Sequence, residues 1–215
     1  MESTFEFLAV LTQWALTLYG WIIIIAILIS WVNPDPGNPI VRFLHRMTDP
    51  LWNYLREILP GSLTLFAAYI SLLLVMFLEI FLPGVLRTMG DFSAGALSLG
   101  QTPTIVAGFF LLGIAVVARS LLYFLIILLL IWFFLTLINP SINNPIVRTV
   151  YILVDPFITP IQRRLPRQKI DLSPLLAAGV FLLLNQLLLG KLIGYAFALT
   201  RGHGLLSALP PLINS

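Results

Sequence analysis

A segment of 18 residues occurs twice in this chain. Residues 33–50 read NPDPGNPIVRFLHRMTDP and residues 139–156 read NPSINNPIVRTVYILVDP, so the offset is 106 residues and nine of the 18 aligned positions are identical. A gapless match of this length is not a chance event, and self-similarity at a fixed offset is the signature of a repeated structural unit. The sequence therefore predicts a tandem duplication.

Asparagine, proline, one arginine and one Asp-Pro pair make up most of the repeated motif. In the first copy these residues are Asn33, Pro34, Asn38, Pro39, Arg42, Asp49 and Pro50. In the second copy they are Asn139, Pro140, Asn144, Pro145, Arg148, Asp155 and Pro156. Because Asn-Pro suits a helix N-cap followed by the first helical position, each copy is predicted to start a short helix there. We expect the short helix to end at each Asp-Pro pair and a new segment to begin there.

Hydropathy places the duplicated unit in a membrane. Hydrophobic residues make up 59% of the chain and charged residues only 10%, and the mean hydropathy is +1.00; soluble domains carry about 25% charged residues. The predicted membrane spans are residues 14–32, 63–82, 121–138 and 175–195. Residues 103–118 are expected to extend the third span outward or to form a separate interfacial helix.

The distribution of positive charge predicts the topology. Eight of the twelve Lys and Arg residues fall in residues 33–61 and 139–171, and cytoplasmic loops collect Lys and Arg. Both loops are therefore expected in the cytoplasm and both termini outside. The predicted fold is an all-α membrane protein with four transmembrane helices in two parallel tandem repeats, each with a short interfacial helix between its spans. The predicted parts are a first repeat (1–82, with loop 33–61), an outer linker (83–102), a second repeat (103–200, with loop 139–174) and a tail (201–215).

The second loop carries the most distinctive local sequence. Pro156, Pro160 and Pro166 are expected to prevent a long helix and to present a cluster of basic side chains. These basic residues are Arg163, Arg164 and Arg167. Adjacent guanidinium groups suit phosphate or carboxylate, which beside a membrane indicates anionic headgroups. The alternatives are ordinary positive-inside anchoring and a specific partner site.

The repeated arginine and aspartate define a further hypothesis. Arg42 precedes Asp49 by seven residues, as Arg148 precedes Asp155, which places each pair on one helix stripe but about 10.5 Å apart. We predict reciprocal pairing across a pseudo-two-fold axis, Arg42 with Asp155 and Arg148 with Asp49. The alternative is that each Asp is an N-cap and each Arg meets lipid phosphate.

Three further polar features fall near or inside the spans. In Asp171-Leu-Ser173-Pro174, Ser173 is the predicted N-cap of the fourth span and Pro174 its first helical residue. Glu79 and Asn185 are 106 residues apart and therefore equivalent in the two repeats. Polar groups inside a membrane are expensive, so the two are expected either to form an interhelical hydrogen bond at the repeat interface or to handle ions or protons.

The sequence argues against catalysis. It has no cysteine, no phosphate-binding glycine loop and no nucleophile or metalloprotease motif. The two histidines, His45 and His203, are predicted on opposite sides of the membrane, so no shared metal site is expected. We expect no cofactor and no enzymatic activity, and a net charge of +3 gives no support to nucleic-acid binding.

The chain from about Trp14 to Leu189 resembles the YggT family of bacterial and plastid membrane proteins. The resemblance rests on the duplicated Asn-Pro and Asp-Pro motifs and on the segments Pro160-Ile-Gln-Arg163-Arg164-Leu-Pro166 and Asp171-Leu-Ser173-Pro174. The first half departs from this pattern: it has Leu51-Trp52-Asn53-Tyr54 where the family has Pro-Ile-Arg, and it lacks the Asp-Ser-Pro cap. The resemblance implies a bacterial cytoplasmic membrane protein without known catalysis, tied to assembly of membrane complexes, cell division and osmotic tolerance.

Together these observations predict a non-enzymatic scaffold or assembly factor. Its Pro/Arg-rich cytoplasmic loops would dock anionic phospholipid headgroups or another integral membrane, division or assembly protein. The residues predicted to bind these partners are Arg42, Asp49, Arg148, Asp155, Arg163, Arg164, Arg167 and Asp171. The alternative is a small channel or transporter that uses Glu79 and Asn185 at the repeat interface.

Overall fold

A computed structural model describes residues 2–30, 35–138, 145–164 and 171–200. Several predicted motif residues lie outside these described residues. They are Asn33, Pro34, Asn139, Pro140, Asn144, Pro166, Arg167 and the tail 201–215 with His203.

The described residues form seven α-helices and no strand. The helices are α1 (Glu2–Ser30), α2 (Pro39–Ile58), α3 (Ala67–Ser93), α4 (Thr102–Ile138), α5 (Pro145–Gln162), α6 (Ser173–Leu184) and α7 (Gly190–Leu199). A 3₁₀ turn, Thr64–Phe66, precedes α3, and a π turn, Asn185–Leu189, joins α6 to α7.

Four helical segments are long and apolar enough to cross a membrane. They are Ser3–Ser30, Thr64–Ser93, Thr102–Ile138 and Ser173–Leu199. Each exceeds the roughly 20 residues that a spanning helix needs. The prediction of an all-α membrane protein with four spanning helices is confirmed, and every span is longer than its hydropathic core alone indicated.

The chain divides into two compact units, one formed by residues up to Val117 and from Tyr195 onward, the other by Ala118–Gly194. In the first unit α1 and α3 pack in antiparallel directions along most of their length. Three pairs mark the register: Glu6 with Arg87, Thr17 with Glu79, and Gly20 with Val75. The amphipathic helix α2 lies against this pair, and its Leu44 and Trp52 join Ile23 and Val75 in one buried cluster.

The second unit has its own apolar core, built by the later part of α4 together with α5 and α6. The buried cluster contains Leu129 of α4, Val154 and Ile158 of α5, and Ala177 and Ala178 of α6. The two alanines let the helix backbones approach closely, which is the usual way that membrane helices gain packing contacts.

The prediction that proline breaks the loop helices is wrong. Pro50 lies inside α2, and both Pro156 and Pro160 lie inside α5. A proline removes one N–H and frees one carbonyl, four residues earlier. These freed carbonyls belong to Arg46, Ile152 and Pro156, which are all exposed residues, so water or headgroups can satisfy them. Asp49 and Asp155 therefore sit within helices, and the alternative that they act as N-caps is also wrong.

The predicted loop from Pro83 is wrong in its first part, because α3 continues through Pro83 to Ser93. The added turns have a partner, since α1 begins at Glu2 and Phe5 packs against Gly90. The connection to α4 is therefore residues 94–101, with Gly95 at φ +74°. Helix α4 then runs unbroken through Arg119 for 37 residues, about 56 Å, so residues 103–118 extend the third span.

Asparagine and aspartate cap the helices that follow the loops. The predicted Asn38 cap is present, with its Oδ1 accepting from the Ile40 N–H at 2.9 Å. Ser173 is not the cap of α6 but its first residue. Asp171 takes the capping role instead, because its Oδ1 accepts from the Ser173 N–H at 2.9 Å. A carboxylate at this place also complements the positive end of the helix dipole.

Candidate functional site

Helix α2 presents three different stripes along its length. At 100° per residue, one stripe is buried against α1 and α3 and consists of Val41, Leu44, Thr48, Trp52 and Leu55. A second stripe is apolar yet exposed and consists of Ile40, Phe43, Met47, Tyr54 and Ile58. The third stripe is polar and contains Arg42, His45, Arg46, Asp49, Asn53, Arg56 and Glu57. A helix with protein, lipid and headgroups on its three sides has this pattern at a membrane surface.

The N-terminal half of the polar stripe lines an open groove of about 620 Å³. Its walls include Arg42, His45, Arg46 and Asp49, with Ser30 from the end of α1. Among the described residues, neither Arg42 nor Arg46 forms a salt bridge. The one carboxylate in the wall is already engaged, because Asp49 Oδ1 lies 3.4 Å from His45 Nδ1. Two unpaired guanidinium groups on one groove wall make it suited to an anionic group such as phosphate.

Helix α5 carries the equivalent residues of the second repeat in a different setting. Arg148 is exposed, as Arg42 is. Asp155 is engaged within its own helix, since its Oδ1 accepts a hydrogen bond from Thr159 Oγ1 at 2.8 Å. A hydrogen bond to Asp155 and the charge of that carboxylate raise the pKa of Tyr151 above its ordinary value. The predicted pairs Arg42–Asp155 and Arg148–Asp49 stay predictions.

The adjacent arginines of the second loop follow directly on α5. Arg163 and Arg164 are both exposed, in the turn after Gln162. Asp171, predicted to bind a partner, is tied to this helix end, because its Oδ2 accepts from Gln162 Nε2 at 2.5 Å. With its other oxygen on Ser173, this carboxylate joins the end of α5 to the start of α6.

The two polar residues inside the spans behave differently. Glu79 Oε1 accepts from Thr17 Oγ1 at 2.6 Å, a bond that joins α1 to α3 within the first unit. The hydrogen bond predicted at the repeat interface stays a prediction. Asn185 is only 2% exposed, and its Oδ1 has no hydrogen-bond partner among the described residues.

Both repeats interrupt the helical hydrogen-bond ladder at this same residue. In α3, Pro83 has no N–H to give the carbonyl of Glu79 four residues earlier. In the second repeat, the carbonyl of Asn185 accepts from the N–H of Gly190, five residues later, which is the π turn. Two different devices thus widen or bend the helix beside equivalent polar side chains, and π turns inside α-helices often occur at functional sites.

Sequence reasoning missed several residues of these sites. His45 and Arg46 line the groove but are not among the identical positions of the repeat, so they were not predicted as site residues. Projecting residues 39–58 at 100° per residue places them beside Arg42. Thr17 and Arg119 are equivalent to Tyr123 and Gln13 at the offset of 106. Extending that offset into the spans would have shown a set of paired polar positions.

The fold and these surfaces define a multi-pass helical membrane protein built from a tandem repeat with a basic helix between its spans. The chain matches the CCB3/YggT family over residues 5–88 and 111–192, and it belongs to that family. The two matched segments coincide with the two repeats, so the predicted family resemblance is confirmed.

Several relatives align with this chain over most of their own length. An uncharacterized protein of Haemophilus influenzae is 29% identical over 180 residues, 83% of this chain and 90% of its own. The uncharacterized protein PA0392 of Pseudomonas aeruginosa is 26% identical over 177 residues, 82% of this chain and 85% of its own. The uncharacterized protein YggT of Escherichia coli K12 is 23% identical over 184 residues, 83% of this chain and 87% of its own. No solved structure matches the chain.

Proposed function

We propose that this protein is a non-enzymatic scaffold or assembly factor of the bacterial cytoplasmic membrane that docks anionic phospholipid headgroups through its basic loop helices. The observation that carries the proposal is the groove of α2, where neither Arg42 nor Arg46 has a salt-bridge partner in the described part of the chain. The adjacent exposed apolar stripe gives α2 a surface for acyl chains. A headgroup phosphate bound between the two arginines would fix the helix at the membrane surface.

Topology extends the proposal to the second loop. Helices α3 and α4 lie between α2 and α5, and two crossings return the chain to the same side. The positive-inside rule assigns that side to the cytoplasm and both termini to the outside. Arg148, Arg163 and Arg164 would then face the cytoplasm with the α2 groove, and the exposed pair after α5 would dock another integral membrane, division or assembly protein.

Lipid retention by variants of the groove tests the proposal. The full-length chain is purified with mixed phosphatidylglycerol and phosphatidylcholine, and bound lipid is counted by native mass spectrometry. The double change Arg42→Gln with Arg46→Gln is expected to weaken phosphatidylglycerol retention about tenfold, the effect of losing about 1.4 kcal/mol. Phosphatidylcholine retention should stay unchanged.

Arg56→Gln is the matched control, because Arg56 lies on the same polar stripe but outside the groove, where it donates to Asn53 Oδ1 at 3.1 Å. Loss of phosphatidylglycerol in this control to the same degree would show that only net charge matters. Wild-type retention by the double variant would remove the groove from the proposal.

A second candidate function is a small channel or transporter. The interrupted ladder beside Glu79 and Asn185 favours it, because freed backbone groups at membrane depth often line ion pathways. In a deletion strain, Glu79→Gln with Asn185→Leu would then abolish complementation. The scaffold proposal expects that variant to complement and Arg163→Ala with Arg164→Ala to fail.

A further inference from the structure

Three polar positions inside the spans are duplicated at the repeat offset of 106. The equivalent pairs are Gln13 with Arg119, Thr17 with Tyr123, and Glu79 with Asn185. In the first repeat this set is hydrogen-bonded, since Thr17 Oγ1 lies 2.6 Å from Glu79 Oε1 and 2.9 Å from the carbonyl oxygen of Gln13. The first repeat therefore contains both the hydrogen-bond donor, Thr17, and the carboxylate that accepts from it, Glu79.

The second repeat holds a buried cation at the corresponding place. Arg119 is 8% exposed, although it lies near the midpoint of the apolar helix α4. Its Nη2 donates to the Tyr123 hydroxyl oxygen at 3.3 Å, and its Cζ lies 5.6 Å from the centre of the Tyr123 ring. The Arg119 Nε has no hydrogen-bond partner among the described residues.

The two sets of polar residues differ in charge, because the second set has no carboxylate. The first set contains a carboxylate and no cation, whereas the second contains a guanidinium and, at the carboxylate position, the neutral amide of Asn185. In the described part of the chain, no carboxylate forms a salt bridge with Arg119. A buried guanidinium without a counter-charge is strongly unfavourable, so a charge from outside the chain would stabilise it.

We propose that Arg119, Tyr123 and Asn185 form a binding site for a small monovalent anion, of the size of chloride or formate. The Arg119 Nε–H is free to donate, and so is the Tyr123 O–H, because its oxygen already accepts from Arg119. Asn185 is 2% exposed and its Oδ1 has no partner among the described residues, and a half-turn of its amide puts Nδ2–H in that place as a third donor. The chain covers 92% of the surface of Arg119, which favours a small ion over a bulky headgroup.

Chloride binding by the full-length chain tests this site. The protein is placed in nanodiscs of pure phosphatidylcholine, and radiolabelled chloride is titrated by scintillation proximity at ionic strength held constant with gluconate. Saturable binding, displaced by formate, is the expected result. Arg119→Leu should abolish it, and Tyr123→Phe, which keeps the ring and loses the donor, should weaken it about tenfold.

Thr17→Val is the matched control for Tyr123→Phe, because it removes the hydroxyl at the equivalent position of the other repeat and should leave chloride binding intact. Absence of saturable binding in the wild type, or wild-type affinity in Tyr123→Phe, would overturn the proposal; the latter variant decides the matter if Arg119→Leu does not fold. Binding that is lost when phosphatidylglycerol replaces phosphatidylcholine would identify lipid phosphate as the occupant and exclude a free ion.

Discussion

The indole N–H of Trp52 donates to Ser71 Oγ at 2.9 Å, and this buried bond joins the surface helix α2 to the spanning helix α3. Ser71 in turn donates to the carbonyl oxygen of Ala68 at 2.6 Å. The groove of α2 therefore has a fixed position relative to the span behind it, since Trp52 is only 5% exposed and belongs to the core of the first unit.

Removing this hydroxyl should loosen α2. Ser71→Ala leaves the Trp52 N–H buried without an acceptor, which costs about 1 to 3 kcal/mol. We expect a lower midpoint of thermal unfolding in detergent and weaker phosphatidylglycerol retention. Ser93→Ala is the control, since Ser93 bonds only to the carbonyl of Gly90 in its own helix. Equal unfolding midpoints for the two variants would contradict an anchoring role for Ser71.

Close packing at Gly84 predicts that a larger residue there destabilises the protein. A Cβ at Gly84 would lie 2.3 Å from Cδ1 of Phe109, whose side chain is fully buried in the first unit. Gly84→Ala should therefore destabilise the protein by about 1 to 3 kcal/mol through overpacking. Gly179→Ala should be neutral or stabilising, because nothing lies within 4 Å of its Cβ position and alanine favours a helix. Thermal unfolding of both variants in one detergent makes the comparison, and a harmless Gly84→Ala would be inconsistent with this packing.

The Thr17–Glu79 hydrogen bond should hold α1 against α3. Thr17→Val removes the hydroxyl that lies 2.6 Å from Glu79 Oε1 and should lower stability by about 1 kcal/mol, which is within the range measured for such bonds in membranes. Thr17→Ser restores the donor and should return most of that stability. Unfolding midpoints measured for the three proteins decide the matter, because failure of serine to rescue would assign the effect to packing.

The pH dependence of α5 should follow Tyr151. Its pKa is raised above the ordinary value of 10.0 by the hydrogen bond to Asp155, by the Asp155 charge and by partial burial. A raised pKa means that the folded state favours the neutral phenol, so this stabilisation is complete below about pH 10 and disappears as the pH rises through the raised pKa. The difference in ultraviolet tyrosinate absorbance between wild type and Tyr151→Phe should therefore titrate above pH 10.

Asp155→Asn provides the control for this titration. Because the asparagine keeps a side-chain acceptor and loses the charge, the Tyr151 midpoint should move back toward its ordinary value. A Tyr151 midpoint that is the same in both backgrounds would show that the carboxylate does not act on this phenol.

Asp171 should matter for stability more than for binding. Asp171→Ala removes the cap on Ser173 and the bond from Gln162, and loss of such a cap costs about 1 kcal/mol. Asp35→Ala is a comparable change at an exposed turn, where Asp35 accepts from the Gly37 N–H. Lower thermal stability only in the Asp171 variant is expected. Unchanged stability with loss of partner crosslinking would instead support the binding role predicted from the sequence.

The sequence predicted the parts of the fold that depend on average hydropathy and missed those that depend on neighbours. Four apolar runs were enough to predict four spans. The same reasoning ended α3 at Pro83, because proline is a local breaker and the Phe5–Gly90 contact that supports the later turns is not visible in the chain. Pro50 was misjudged for a related reason, since the exposure of the carbonyl it frees depends on which stripe of α2 faces outward.

The candidate sites show the same division. Arg42 was found because the repeat marked it, whereas Arg46 is not repeated and was recognised as a site residue from the groove that both residues line. Glu79 and Asn185 were matched by their offset, but the interface predicted between them stays a prediction. Arg119 was not predicted as a site residue, because it falls between the predicted extension 103–118 and the predicted span 121–138. The structure places it inside one continuous helix and buries it.

The π turn at Asn185–Leu189 has a consequence for how the two halves of the molecule diverged. It takes up one extra residue per turn, so every side chain beyond it is rotated by about 100° around the helix axis. Gly84 and Gly190 still align at the same offset, but the residues that follow them point in different directions. Equivalent residues of the second and fourth spans therefore lie on different sides of their helices, although no residue is inserted or deleted between Asn185 and Gly190 relative to Glu79 and Gly84.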